Sequence, residues 1–436
     1  MQNKLYATIL HAILFLFFVL NGTGFESYAL AGGQEWCWTK MVDDPDASFE
    51  VPDIPRPEYL KTIIDPIFGT KITRITGDPG TRIITKSGEN IGVWGDAVKY
   101  HYSKDQPWNA NSSLIHLSRN DNGSPEDLFL DGDTYKVLFS RKVPGHDNRW
   151  HPTHPELKVY VDDNKLGYFN VQTGKQSIIR TFFDYTRINL GPWEGNLSYD
   201  GQMVAFYAEK ANGQVDAFAY NITTNTTYSP LELNSSTIDW VSISASGQYV
   251  VINYSDTDSK TYDLNMNLVA TFAENISHYD LGIDNEGDDA ASGVKKPDGE
   301  GVLVKHNLHD GTATVLTPGL SGKIYGTHTS TRNFLLPGWS YSSFNVERPV
   351  YKDEVVAVKM DGSGKVRRFC QTHNNETDYV SEIQPVPSPA GKRVMFSSNW
   401  GEIDGRPVGT YVADARTPCT ATRPDPPTGL RIVYDR

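Results

Sequence analysis

A seven-bladed β-propeller, an all-β fold, is what this 436-residue sequence predicts. Three observations carry the prediction. Helical periodicity is nearly absent after the N-terminal apolar stretch. Short strand-like runs each follow a turn signal. Those runs recur at a regular spacing.

The runs Leu157–Val161, Met203–Tyr207, Tyr249–Ile252 and Arg393–Phe396 are rich in β-branched and aromatic residues. They follow Pro155-Glu156, Asp200-Gly201, Ser246-Gly247 and Ala390-Gly391, dipeptides that favour turns. A second run closes each unit on another turn, as in Tyr168-Phe169-Asn170-Val171-Gln172-Thr173-Gly174 and Lys305-His306-Asn307-Leu308-His309-Asp310-Gly311. From Asn170 through Asn221, Asp263 and Asn307 to Lys359 these closures lie 42 to 52 residues apart, close to the roughly 40 to 50 residues of a four-stranded blade. Seven units then begin near Leu114, Leu157, Met203, Tyr249, Asp288, Phe334 and Arg393. Seven blades close into a ring without exposed sheet edges. Strand-like ends at Lys71–Ile75 and Leu430–Val433 are expected to complete one blade together. Two packed sandwiches are the alternative architecture, and they leave the period unexplained.

Lys4, the apolar run Leu5–Leu20 and the small-x-small site Ala29-Leu30-Ala31 read as a secretory signal over residues 1–31, leaving 32–436 as one domain. The expectation is a secreted, extracellular monomer with no membrane attachment after cleavage. Asn-x-Ser/Thr sequons begin at Asn111, Asn122, Asn196, Asn221, Asn225, Asn234, Asn253, Asn275 and Asn375 (Asn21 lies within the signal), which fits a glycoprotein. Beyond the signal stand Cys37, Cys370 and Cys419, so one disulfide at most can form, and the sequence does not select the pair. The formal net charge of −13, without a basic run, argues against nucleic acid as a partner.

In a propeller the segment before each innermost strand faces one mouth of the central channel, so side chains from all blades converge there. Those segments are Tyr100-His101-Tyr102, Gly145–Trp150, Trp193–Asn196, Ile238–Trp240, Ser277–Asp280, Gly326–Arg332 and Tyr379–Gln384. They hold His101, His146, His278 and His328, which can act as base, acid or ligand near neutral pH. They also hold Arg149 and Arg332, suited to a carboxylate. Tyr102, Trp150, Glu194 and Tyr279 are candidates to bind substrate. Asp239, Asp280, Glu382 and Gln384 are candidates to hold a metal. Elsewhere, His151 and His154 sit at a turn and His306 and His309 at a hairpin closure, where exposure is expected. The acidic run Asp280–Asp289 has the composition of a calcium loop without the EF-hand order of ligands.

The blade starts, together with Ser388-Pro389-Ala390-Gly391-Lys392-Arg393-Val394-Met395-Phe396-Ser397-Ser398-Asn399-Trp400-Gly401, look like the repeat of TolB-like propellers. Within that group the chain resembles propeller polysaccharide lyases, notably oligogalacturonate lyase and the fungal L-rhamnose-α-1,4-D-glucuronate lyase. The resemblance spans about Lys71 to Asp414. The last blade of oligogalacturonate lyase opens with a metal-binding His-x-His pair, and the matching positions here are Glu382 and Gln384. Those residues suit a harder divalent cation, calcium ahead of manganese, and no organic cofactor is expected.

The resemblance implies elimination from an acidic, uronate-containing plant or algal polysaccharide. Such a lyase neutralises the sugar carboxylate, removes the proton on the adjacent carbon and protonates the departing glycosidic oxygen. Arg149, Arg332 or a cation would serve the first role. One of His101, His146, His278 and His328 would be the base, with His146 and His328 placed first for the arginine near each. Tyr102 or Tyr279 would be the acid. Two alternatives stand beside it: a glycoside hydrolase using two of Glu194, Asp239, Asp280 and Glu382, and a non-catalytic propeller that binds glycans or proteins.

Overall fold

The computed structural model describes residues 36–419, apart from 193, 256–257, 273–275, 296–301, 319–323, 326–327 and 347–349. Trp38–Arg416 forms one compact unit, and it is built from strands. Among the described residues helical structure is limited to two 3-10 turns, Ser235–Thr237 and Tyr379–Ser381. A disulfide joins Cys37 to Cys419 in the smaller second unit, which leaves Cys370 as a buried free thiol. The signal region, Asn275 and the Leu430–Val433 run lie outside the described residues.

Seven antiparallel sheets make the seven blades of a propeller. Blade one comprises Leu114–Leu117, Leu128–Asp131 and Val137–Ser140. Blade two runs from Asp147–Trp150 to Gln176–Thr181, and blade three from Arg187–Asn189 to Leu231–Leu233. Blade four spans Ile238–Ile243 to Leu268–Phe272, and blade five Ile276–Ile283 to Ala313–Val315. Blade six spans Ile324–Tyr325 to Val366–Gln371. Blade seven takes Val386–Pro387, Arg393–Ser398 and Gly409–Asp414 from one end of the chain and Lys71–Arg74 and Thr62–Ile64 from the other. Lys71 pairs with Asp414 and Arg74 with Tyr411, so the ring closes between these strands.

The recurring sequence runs are the second and third strands of the blades. Leu157 pairs with Asn170, Met203 with Asn221, Tyr249 with Asp263 and Trp339 with Lys359. The period therefore marks where each third strand ends. Asn170, Asn221, Asp263 and Asn307 recur there because their side-chain oxygens accept backbone N–H bonds two or three residues on, closing the turn. The sixth unit starts at Trp339 rather than Phe334. Asn333 and Leu336 form a turn, and Gly338 takes φ 84° beyond it. Second-strand side chains such as Val159, Val204, Ile252 and Val394 are fully buried between blades. Each such side chain stabilises by roughly 1.5–3 kcal/mol.

Blade one lacks a regular innermost strand. Only a single bridge, Trp108 to Ile115, stands in its place. The residues before it leave the sheet and thread the channel. Lys99 Nζ donates to the Val380 and Glu382 carbonyls beside blade seven. Tyr102 meets His278 of blade five, and Ser103 meets His328 beside blade six. Lys104 meets Glu194 beside blade three and the Trp240 ring of blade four. Asp105 lies in the field of Arg149 of blade two. Gln106 Nε2 donates to the Arg332 and Pro387 carbonyls. One short segment thus contacts blades three to seven and lies in the field of Arg149 of blade two, and every residue from Tyr102 to Gln106 is buried.

Candidate functional site

The threading segment brings the mouth residues into one cluster, two hydrogen-bonded groups joined by ring contacts. Tyr102 Oη lies 3.0 Å from His278 Nδ1. The His278 and His328 rings are 4.3 Å apart between centroids, and Tyr102 meets His328 edge-on at 5.3 Å. His328 Nε2 lies 2.9 Å from Glu382 Oε2, to which Gln384 Nε2 also donates at 3.1 Å. Ser103 Oγ, 3.4 Å from His328 Nδ1, completes the surroundings of that ring.

Local backbone aims these groups. His278 has φ 50° at an irregularity where the inner strand of blade five shifts register between Ser277 and Asp280. Gln384 has φ 47°. Left-handed conformations in residues with side chains cost of order 1–3 kcal/mol and concentrate at functional positions. Glu382 ends the Tyr379–Ser381 turn, which is closed by a capping box between Asp378 and Ser381. The Lys99 amine clamps the same turn from below, and burial pulls its pKa down to about 7.

Burial also sets the protonation of the cluster. It lowers the pKa of His328, against the opposing pull of Glu382, so the ring favours its neutral form. It raises that of Tyr102 well above the ordinary phenol range, helped by Glu194, Tyr379 and Glu382. Tyr102 is therefore a phenol that keeps its proton.

Several expected site residues have other roles. Arg149 is buried, pairs with Asp147 and donates to the Gly195 carbonyl at 2.9 Å. Arg332 is buried on Asp280, 2.9 Å from Nε to Oδ2. Arg149 pairs with a near neighbour in sequence and Arg332 with an aspartate of the adjacent blade. His146 lies apart from the cluster, with Nε2 3.1 Å from the Ile188 carbonyl. His101 is more exposed and lies 3.5 Å from Asp105. Trp150 is buried beneath Lys158, its Nε1 donating to the Pro107 carbonyl. Tyr279 is buried and donates to Ser259 Oγ. Neither Trp150 nor Tyr279 presents a face to a sugar.

Two histidines expected to be solvated, His151 and His306, are buried; His154 and His309 are exposed. The sequon residue Asn196 is buried too, its amide donating to the Lys104 carbonyl at 2.8 Å. In the acidic run, Asp284 pairs with Lys305 and Asp289 accepts from Ser244 and Ser246, so the run caps strands rather than forming a cation loop.

The proposed metal set does not assemble. Asp280 Oδ2 is taken by Thr331 and Arg332. Asp239, which accepts from Asn253, lies in the field of Glu194 and Lys104, and burial raises its pKa. Glu382 and Gln384 lie together with His328 but are hydrogen-bonded to one another. Among the described residues no group of three or more His, Cys, Asp or Glu side chains is placed to hold a metal ion. The donor set offers no basis for preferring calcium, and no step below is routed through a metal.

Lys99 and Lys104 escaped the sequence reading because a lysine in a Tyr- and Ser-rich segment reads as solvated. The signal that would have found them is the missing inner strand of blade one.

No family model matches the chain, and no curated protein matches it in sequence. Its fold is similar to solved structures of oligogalacturonate lyases. One is an oligogalacturonate lyase in complex with manganese, with TM-score 0.58 and 12% identity, covering 83% of this chain and 97% of the other. A second is oligogalacturonate lyase from Vibrio parahaemolyticus, with TM-score 0.57 and 12% identity, covering 81% and 96%. At this identity the likeness establishes the propeller architecture.

Proposed function

We propose that the protein is a polysaccharide lyase that cleaves a uronate-containing glycan by β-elimination, with His278 as base and Tyr102 as acid. The observation that carries this reading is the 3.0 Å contact of Tyr102 Oη with His278 Nδ1 at the mouth of the channel. The likeness to oligogalacturonate lyases supports the reaction class.

The chemistry follows from the cluster. In this mechanism His278 carries its proton on Nδ1, directed at the Tyr102 oxygen, and Nε2 acts as the basic nitrogen. Nε2 takes the proton on the carbon next to the uronate carboxylate. The electron pair of that C–H bond forms the new carbon–carbon double bond as the glycosidic C–O bond breaks. Tyr102 gives its proton to the departing oxygen, and the imidazolium returns its Nδ1 proton to the phenolate. Loss of the Nε2 proton to water and reprotonation at Nδ1 restore the resting tautomer. Glu382 and Ser103 hold His328, and His328 packs against both reacting side chains. General acid–base catalysis of this kind contributes about 10²–10⁴ in rate.

The test is ultraviolet absorbance of the protein incubated with gum arabic, pectin fragments and ulvan, with and without chelator. A rising conjugated double bond supports elimination, and sensitivity to chelator would add a cation that the described donors do not preassemble. New reducing ends without a double bond would favour hydrolysis by Glu194 and Asp239, a pair whose mutual repulsion helps raise the Asp239 pKa. Activity in the medium of the producing cell is part of the proposal.

A further inference from the structure

Elimination needs a cation for the substrate carboxylate, and the two arginines of the channel are buried on their own aspartates. We propose that Lys104 supplies this charge, and that Glu194 occupies the carboxylate position until substrate displaces it. The inference rests on the lyase reading for its catalytic meaning, although the binding it predicts is measurable without turnover.

Lys104 Nζ forms an ion pair with Glu194 Oε2. Its ammonium also lies 4.3 Å from the Trp240 ring centroid, 5.5 Å from that of Tyr279 and 5.8 Å from that of Tyr102. Three aromatic rings therefore hold the charge in a poorly solvated place, where a carboxylate partner interacts more strongly than in water. Those rings lead to the acid: Tyr102 carries the hydroxyl that meets His278, and Lys104 acts electrostatically on His328.

Accessibility is asymmetric across the pair. The Lys104 side chain is 4% exposed and that of Glu194 27%, so Glu194 is the member that faces solvent and can be exchanged. Lys104 is held from behind by Asn196, which donates to its carbonyl. Glu194 lies between two glycines, Gly191 and Gly195, that pack closely on the Val241 carbonyl. A Cβ at Gly191 would lie 1.6 Å from the Val241 carbonyl oxygen, and one at Gly195 2.5 Å from the same atom. Asp239, which feels both Lys104 and Glu194, adds negative charge that favours departure of one carboxylate.

Calorimetric binding of trigalacturonate and of gum arabic oligosaccharides, each compared with its carboxyl-reduced counterpart, tests the assignment. The wild-type protein should prefer the acid forms by about tenfold or more, equivalent to about 1.4 kcal/mol. Lys104→Met should abolish that preference while leaving the reduced forms bound as before, and Lys104→Arg should restore part of it. Glu194→Gln should strengthen binding of the acid forms several-fold, because it removes the competing carboxylate. A structural role for the pair would weaken binding in both Lys104→Met and Glu194→Gln. That result, or a preference retained in Lys104→Met, or no preference in the wild-type protein, overturns the proposal. If Lys104→Met fails to fold, Lys104→Arg and Glu194→Gln still decide it. These binding outcomes without double-bond formation would end the lyase reading and leave the Lys104 assignment standing.

Discussion

The channel contains two sets of titratable groups that differ in how their charges are matched. Deeper in the ring, Arg149 faces Asp147 and Arg332 faces Asp280, each pair buried and supplied with further backbone partners. At the mouth, Tyr102 is hydrogen-bonded to His278 and His328 to Glu382, the two pairs meet through their rings, and the ion pair of Lys104 with Glu194 is partly open to solvent. In the first set each arginine is buried together with its aspartate, whereas in the second Glu194 reaches solvent. Convergence of charged residues at a propeller axis is therefore a weak sign of function by itself, and the pairing within each set is what separates structure from chemistry.

That contrast is open to direct attack. The largest expected effects are on opposite properties. His278→Ala should lower kcat/KM by about 10²–10⁴ with the thermal midpoint nearly unchanged, whereas Asp280→Asn should cost about 3–5 kcal/mol of stability by stranding the Arg332 charge. Steady-state kinetics and denaturant unfolding on both variants would sink the division if Asp280→Asn proved stable or His278→Ala unfolded. A smaller loss, about tenfold to a hundredfold in kcat with KM preserved, is expected for Tyr102→Phe, because the ring stays and the proton goes. A rise in KM with kcat unchanged would assign Tyr102 to binding instead.

The smallest effect concerns histidines outside the mouth. Burial holds His151 and His373 at about 4, below the ordinary value near 6.5 that they regain on unfolding. The unfolded chain then binds protons that the folded chain refuses, so stability should be lost as pH falls from about 6.5 towards 4. His373 stacks on Trp400 at 4.5 Å, and His373→Gln should flatten the decline by about 1 kcal/mol or less at pH 5. Unfolding midpoints at pH 7 and pH 5 check this, and an unchanged slope would mean that other groups dominate.

Much of the ring was legible because each blade repeats a local rule. An Asx turn after a strand carrying buried aromatic side chains writes itself into sequence, as at Asn170 after Phe169 and Asn221 after Tyr220, and its period counts blades. Closure of the last blade was half legible: Lys71–Arg74 belongs to it, but its partner is Gly409–Asp414. The site was legible as a set of segments and not as a set of contacts. His278, His328, Tyr102 and Glu382 came together, while Arg149 paired with Asp147 two residues away and His146, Trp150 and Arg332 turned to neighbours distant in sequence. Arg332 and Asp280 are 52 positions apart, and only the ring brings them into contact.

What the sequence by itself determined is the repeat: strand, turn and burial pattern are properties of residues a few positions apart, and seven such units close a ring. What only the tertiary structure decided is which charges are free. That depends on the segment from Lys99 to Gln106 leaving its blade and threading the axis, where it meets residues of five other blades and feels the charge of Arg149 in a sixth. Local propensity carries no record of those encounters, because protonation, pairing and access are set by groups that chain closure, and not chain order, makes neighbours.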